Sequence, residues 1–144
     1  KSQSIKDKLL KAVDDDTNAF NEFMDAKRLP ANNEEQKQKR KEAMLQGLKN
    51  AVAVPLNTAK LCLEVIEISK VVAQHGNPNS ITDVGVGGNV AYAGVIGGIY
   101  NVLINLKQID DKEFVEQMRS GCKSMKEKAA ILLNELTQIV EAKL

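Results

Sequence analysis

From about Ser4 to Leu29 the apolar positions Ile5, Leu9, Val13, Phe20, Phe23 and Met24 fall at the three- and four-residue spacing of a helix face. Pro30 disfavours helix in the residue before it, and Asn32 and Asn33 suit a turn, so "LPANN" ends that helix. Asn33 is the predicted N-cap of the next one. Gln36, three residues on, completes a capping box, and Glu34 and Glu35 complement the helix dipole. This second helix passes from the mixed-charge run "EEQKQKRKEAMLQ", which reads as a solvated face, to an apolar face at Met44, Leu48, Val52 and Val54. Pro55 then either kinks it or restarts it as a first-turn residue. The stretch "LNTAKLCLEVIEISKVVAQ" is again helical in period. "HGNPNS" stops it, with Gly76 as the expected C′ residue and Pro78 blocking continuation.

Ser80 and Asp83 form a second capping-box-like pair before a segment that carries no charge from Val84 to Leu106. Its length raises the question of a membrane span. Six glycines and three asparagines (Asn89, Asn101 and Asn105) make it only weakly apolar, and no aromatic belt flanks it, so no membrane is expected. The expectation is a helix buried on most sides of a bundle, its Gly and Ala residues admitting neighbouring backbones. "GVGG" lacks the spacing of a phosphate-binding loop and follows no strand. A last helix, capped at Asp110 or Asp111, runs through Phe114, Met118, Cys122, Met125, Ala129, Leu132, Leu136 and Ile139. No segment reads as a strand. The pattern predicts one all-α domain over residues 1–144, a bundle of four to five long helices, one of them Gly-rich and buried.

Composition narrows the chemistry. Of 144 residues 43 % are hydrophobic and 27 % charged, a globular balance, but only 3 % are aromatic and none is Trp. The core must therefore be aliphatic. A net charge of +1 supplies no global field to recruit nucleic acid or an anionic membrane. Cys62 and Cys122 have no CxxC spacing, so neither a metal site nor a disulfide framework is indicated, and a reducing, cytoplasmic setting is expected. His75, the only histidine, falls in a last helical turn with no nucleophile beside it.

The three carboxylates of "VDDDTNAF" are not equivalent. On a helical wheel centred on Asp16, Leu9 and Lys27 lie within about 20° and Phe20 within about 40°. Asp14 falls about 160° away and Asp15 about 100° away, on solvated positions. Asp16 thus sits in the apolar stripe. A carboxylate buried there must find partners, become protonated or line a cavity. One reading is a structural carboxylate satisfied by a cap or a lysine of another helix. The other is a group moved by desolvation toward the range useful for proton transfer. Lys27 shares the stripe but lies about 16 Å along the axis, too far to pair with Asp16 and placed to meet the far end of an elongated ligand.

Taken together, "VDDDTNAFNEFMDAKRLP", "AVAVPLNTAK", "HGNPNSITDVGV" and "YNVLINLKQIDDKEF" resemble, in order and spacing, the cyclodeaminase/cyclohydrolase family, from about Leu9 to Met118. That family includes the C-terminal domain of formiminotransferase-cyclodeaminase. The resemblance implies an all-helical domain that dimerises and binds tetrahydrofolate derivatives, polyglutamylated forms included. It implies conversion of 5-formimino-tetrahydrofolate to 5,10-methenyl-tetrahydrofolate and ammonia, in the cytoplasm, in company with a formiminotransferase. The family's catalytic acid, the second Asp of a V-D-x-D-x-x-A-F motif, falls on Asp16. Asn79 and Asp83 of the "NPNSITD" turn and Asn101 and Asn105 of "NVLIN" are assigned by the same match to the substrate pocket, although Asp83 is equally explained as a helix-start carboxylate. Lys27 or Arg28 is expected to pair with the substrate's glutamate tail.

The chemistry asks for a base and then an acid as N10 attacks the formimino carbon and ammonia departs. One carboxyl can relay both protons, so no metal and no cofactor beyond the folate substrate is expected. Family members begin with two further helices bearing a Gly-rich segment that helps form the folate site. The chain, which starts at Lys1, carries neither and is expected to be a truncated or partial form with that wall of the pocket missing. The nearest competing activity is methenyl-tetrahydrofolate cyclohydrolase, which opens the methenyl ring with water. A competitor of another class is a non-catalytic helical dimerisation module.

Overall fold

A computed structural model of the chain describes residues 1–144. Four helices follow one another, α1 (Ser2–Arg28), α2 (Glu34–His75), α3 (Ile81–Asn105) and α4 (Lys112–Glu141). Single 3-10 turns at Pro78–Ser80 and Leu106–Gln108 bracket α3. There is no strand, and the all-α bundle read from the sequence is what forms.

The spine is α2, whose 42 residues span about 63 Å. The other three helices pack on it. Pro55 does not restart this helix, which continues through it. A proline has no N–H to give the carbonyl four residues back. Here that carbonyl, on Ala51, accepts instead from Asn105 Nδ2 of α3 at 2.7 Å. The core is aliphatic as composition required. Ile66, Leu106, Leu136, Val52, Val95, Val102 and Cys122 are its largest fully buried side chains.

The caps are mostly where the sequence put them. Asn33 Oδ1 accepts from Gln36 N at 2.9 Å. Gln36 reaches back to the N–H of Asn32, one residue earlier than a standard box, also at 2.9 Å. Of the two candidate aspartates it is Asp111 that caps α4, accepting from Phe114 N at 3.1 Å. Two expectations fail. Gly76 is not left-handed, with φ −83° and ψ −171°. The last carbonyls of α2 are met by a cation instead, since Lys143 Nζ donates to Ala73 O at 2.5 Å and Gln74 O at 3.1 Å. Ser80 makes no side-chain cap bond with the helix it precedes. The Pro78–Ser80 turn feeds straight into α3, and Asn77 rather than Ser80 is the capping side chain, accepting from Asn79 N at 3.0 Å.

The helix α3, uncharged from Val84 on, is buried on one side only, which corrects the expectation of burial on most sides. Ile81, Gly88, Ala91, Val95, Gly98, Ile99 and Val102 are buried. Val86, Val90, Tyr100 and Ile104 face outward. With its flanking turns this is the one stretch long and apolar enough to cross a membrane. The glycines let α3 sit deep on its neighbours without covering its far side.

Candidate functional site

Burial along α1 follows Ile5, Ala12, Ala19 and Ala26, at steps of seven. Leu9 and Phe23 are half-buried in the adjoining column. Asp16 belongs to that column, seven residues after Leu9 and seven before Phe23. It therefore turns toward the bundle, yet it is exposed, which corrects the expectation of a buried carboxylate. The physical reason lies opposite it. There the wall offers Pro55, Thr58 and Gly98, with little side chain to reach across, and a groove of about 360 Å³ stays open. Val13 and Phe20, also expected in the buried stripe, are 66 % and 61 % exposed, because no element covers that flank of α1.

Three helices build this groove. Asp16 and Thr17 come from α1, Pro55 and Thr58 from α2, and Gly98 and Asn101 from α3. Leu9 and Ala12 add an apolar floor. The close seat of α3 depends on Gly98. A Cβ there would stand 2.7 Å from Pro55 O and 2.9 Å from Ala59 Cβ. Both threonine hydroxyls donate to the carbonyl one turn back, Thr17 to Val13 O and Thr58 to Val54 O, each at 3.2 Å. Their oxygens remain acceptors. Asn101 Nδ2 reaches Gly97 O only at 3.5 Å. The groove thus offers one carboxylate, two hydroxyls and one amide around an apolar floor. Asp14 stands in solvent and Asp15 is paired with Lys11, so Asp16 is the carboxylate of "VDDDTNAF" that the groove receives.

The other residues singled out in the sequence do not all converge. Asn105 lies one turn beyond Asn101, but its amide is committed to Ala51 O, which makes it a brace of the α2–α3 contact rather than a lining residue. Asp83, in the first turn of α3, lies about 27 Å from Asn101 along the axis, Asn79 sits farther still in the turn before it, and both are exposed. Within one chain they share no groove with Asp16. Lys27 and Arg28 close the last turn of α1, where a positive charge complements the helix dipole. Lys27 Nζ lies 5.3 Å over the Phe23 ring, and Arg28 pairs with Asp25 at 3.1 Å.

Two further depressions went unmarked in the sequence. An apolar groove of about 490 Å³, lined by Ile5, Leu9, Leu10, Val65, Ile68 and Val72, shares Leu9 with the Asp16 groove. A mixed-charge groove of about 420 Å³ gathers Lys37, Arg40 and Lys41 against Asp110 and Asp111. The basic residues belong to the run that reads as a plain solvated face. Only the connection between α3 and α4, through Gln108, Asp110 and Asp111, gives them an opposing wall. Asp111 is held below the usual carboxylate range by the Phe114 N–H, with Lys49 adding to the effect at 3.1 Å. Burial pushes the thiols of Cys62 and Cys122 up. No three His, Cys, Asp or Glu side chains converge as a metal-ligand set.

Residues 1–124 match the formiminotransferase-cyclodeaminase family. The methenyltetrahydrofolate cyclohydrolase of Methylorubrum extorquens is 35 % identical over 143 residues, covering 99 % of this chain and 69 % of that protein. The formimidoyltransferase-cyclodeaminase of Gallus gallus is 41 % identical over 108 residues, covering 75 % of this chain and 20 % of that protein. The fold is shared with the crystal structure of formiminotetrahydrofolate cyclodeaminase from Thermotoga maritima, at a TM-score of 0.84 and 22 % identity, over 97 % of this chain and 66 % of that one.

Proposed function

The chain belongs to the formiminotransferase-cyclodeaminase family, a family of folate one-carbon cyclodeaminases and cyclohydrolases, and from that membership we propose that it closes 5-formimino-tetrahydrofolate to 5,10-methenyl-tetrahydrofolate with release of ammonia. The observation that carries the reading is the position of Asp16, a lone carboxylate on the α1 wall of a groove otherwise lined by hydroxyl, amide and apolar groups.

In this proposal the pterin end of the folate lies in the groove, over Leu9 and Ala12. N10 attacks the formimino carbon, a C–N bond forms, and the carbon becomes tetrahedral, bearing N5, N10 and an amino group. Asp16 takes the proton released by N10 and returns it to the amino nitrogen, whose C–N bond then breaks to give ammonia and the methenyl bridge. The carboxylate ends as it began, so a single group serves both transfers. Seating the substrate excludes water from a carboxylate that is otherwise solvated, which strengthens its coupling to the positive charge growing on the bridge. Asn101, Thr17 and Thr58 orient the substrate across the groove, and Lys27, Arg28 or the Lys37–Lys41 groove meets an anionic glutamate tail. Asn79 and Asp83 enter a site only where chains associate.

A second reading, ring opening of 5,10-methenyl-tetrahydrofolate by water, is favoured by the similarity to a cyclohydrolase over nearly the whole chain. The same carboxylate then serves as the base toward water. Offering both folates to the purified protein, while following methenyl absorbance and ammonia, separates the two. Appearance of the chromophore with ammonia supports the deaminase, and its disappearance without ammonia supports the hydrolase. Absence of both turnover and folate binding would leave a helical association module and sink the enzymatic reading.

A further inference from the structure

The basic run at the start of α2 divides in two. Lys37 and Lys39 are paired within their own helix, with Glu34 at 2.7 Å and Glu35 at 2.8 Å. Arg40 and Lys41 have no carboxylate within 4 Å. Their helical neighbours explain it. Three and four residues away Arg40 meets Gln36, Lys37, Ala43 and Met44, and Lys41 meets Lys37, Gln38, Met44 and Leu45. No acid stands at a spacing that can reach them, and Arg40 is half-buried.

The opposing wall shows the same contrast. Asp111 is occupied by the Phe114 N–H and by Lys49, each at 3.1 Å. Asp110 beside it is exposed, caps no helix and has no cation within 4 Å. Both walls line the groove of about 420 Å³, whose floor is Met44, Leu45 and Leu48. Two free cations and one free anion thus face the same apolar floor without closing on one another. A half-buried guanidinium suits a planar carboxylate, which its fork can grip with two hydrogen bonds. A simple anion would satisfy Arg40 and Lys41 but would carry like charge toward Asp110. The complement is a molecule with two carboxylates, one ammonium group and an apolar body. The volume is ordinary for a small-ligand site, where roughly 300–1,000 Å³ is usual.

We propose that this groove binds a short acidic peptide with a free amino terminus. Its carboxylates pair with Arg40 and Lys41, its ammonium pairs with Asp110, and its apolar side chain covers Met44 and Leu45. Met44 and Thr58 place the site about 21 Å along α2 from the Asp16 groove. The inference goes beyond the folate reading and rests on none of it. A folate's glutamate tail carries carboxylates but no free ammonium, which makes the two occupants separable.

The probe is leucyl-glutamate, a dipeptide with two carboxylates, one ammonium and one leucyl side chain. Calorimetric titration into the full chain at low ionic strength should give a dissociation constant of about 0.1–1 mM, as befits a ligand this small. Glycyl-glutamate, without the apolar side chain, should bind about tenfold more weakly. N-acetyl-leucyl-glutamate, without the ammonium, should lose about fivefold. Asp110→Asn should cost leucyl-glutamate the same factor and leave the acetylated peptide unaffected, as the two changes remove one pair. Arg40→Gln should weaken both peptides about tenfold, and Asp16→Asn should bind as the wild type does. These are surface changes, and circular dichroism checks that each variant is folded. Absence of binding at about 10 mM overturns the proposal. Equal affinity for the acetylated peptide overturns it too, leaving a plain anion site open to a folate tail. Wild-type affinity in Asp110→Asn or Arg40→Gln, or its loss in Asp16→Asn, places the peptide elsewhere and has the same force. No folate enters the titration, so its result stands apart from whether either folate is turned over.

Discussion

On α4 the line turned inward is Cys122, Ala129, Leu136 and Val140. Ion pairs of 2.7 Å, Lys70 with Glu135 and Lys128 with Glu67, fasten it to α2. On α1 the line is Ile5, Ala12, Ala19 and Ala26, and a hydrogen bond of 2.9 Å from Asn50 to Glu22 joins it to the same spine. From Cys122 to Leu136 α4 buries residues at steps of seven, as α1 does throughout, so their helical period is alike and the main difference is side-chain volume. Leucine and valine on α4 fill the space they face. Alanines on α1 bring the backbone in while leaving the adjoining column, where Asp16 sits, without a cover. One side of the bundle is built for adhesion and the other for a cleft, and helical period alone does not distinguish them.

The contrast can be broken in order of effect. Asp16→Asn should lower turnover by about 10²–10⁴-fold, the range for a lost general acid–base. Its unfolding midpoint should stay at the wild-type value, because the side chain is exposed; stopped assays and denaturant titration on one preparation check both. Leu136→Ala, on the α4 side, should do the reverse. It should cost about 2–5 kcal/mol in urea unfolding and leave the Michaelis constant of the folded fraction unchanged.

Asn105→Ala sits between the two sides, since it strips the donor from a carbonyl that α2 cannot satisfy itself. About 1–3 kcal/mol should be lost. Made in a Pro55→Ala background, where a backbone N–H returns, the same change should cost less than half as much, and a double-mutant cycle reads the coupling. The smallest effect is at Asp111. Its pKa is lowered in the folded chain, so the stability it contributes is present above the ordinary aspartate range and is lost as pH falls through the lowered value. Asp111→Asn should flatten the acid limb of the melting-temperature profile and leave neutral pH nearly untouched.

Much of this architecture was legible in the sequence. The helices, the Asn33 cap, the turn at "LPANN", the aliphatic core and the stop at "HGNPNS" all follow from local spacing and from the chemistry of single residues. What failed depended on neighbours. A wheel assigns Asp16 and Phe20 to a face but cannot say whether another helix covers it, and for α1 none does. Glycines in α3 were read as a sign of burial, yet Gly98 lies against α2 while Gly97, the next residue, faces outward. Asn105 was assigned to the pocket by the family resemblance alone, and the bond that occupies its amide, to a carbonyl freed by a proline 50 positions earlier, is visible only when two helices are laid together. For Asp16 the wheel raised the anomaly and the groove gave it surroundings.

The bond from Asn105 to Ala51 also bears on the order in which the chain assembles. Segments Glu34–Val54 and Pro55–His75 can wind separately, but their junction holds a carbonyl without a donor until a side chain 54 residues downstream arrives. Amide exchange should accordingly find the turns around Pro55 protected only after α3 has docked. The longest helix in the molecule is thus completed by another helix, and its two halves become one rod at the moment the groove acquires its second wall.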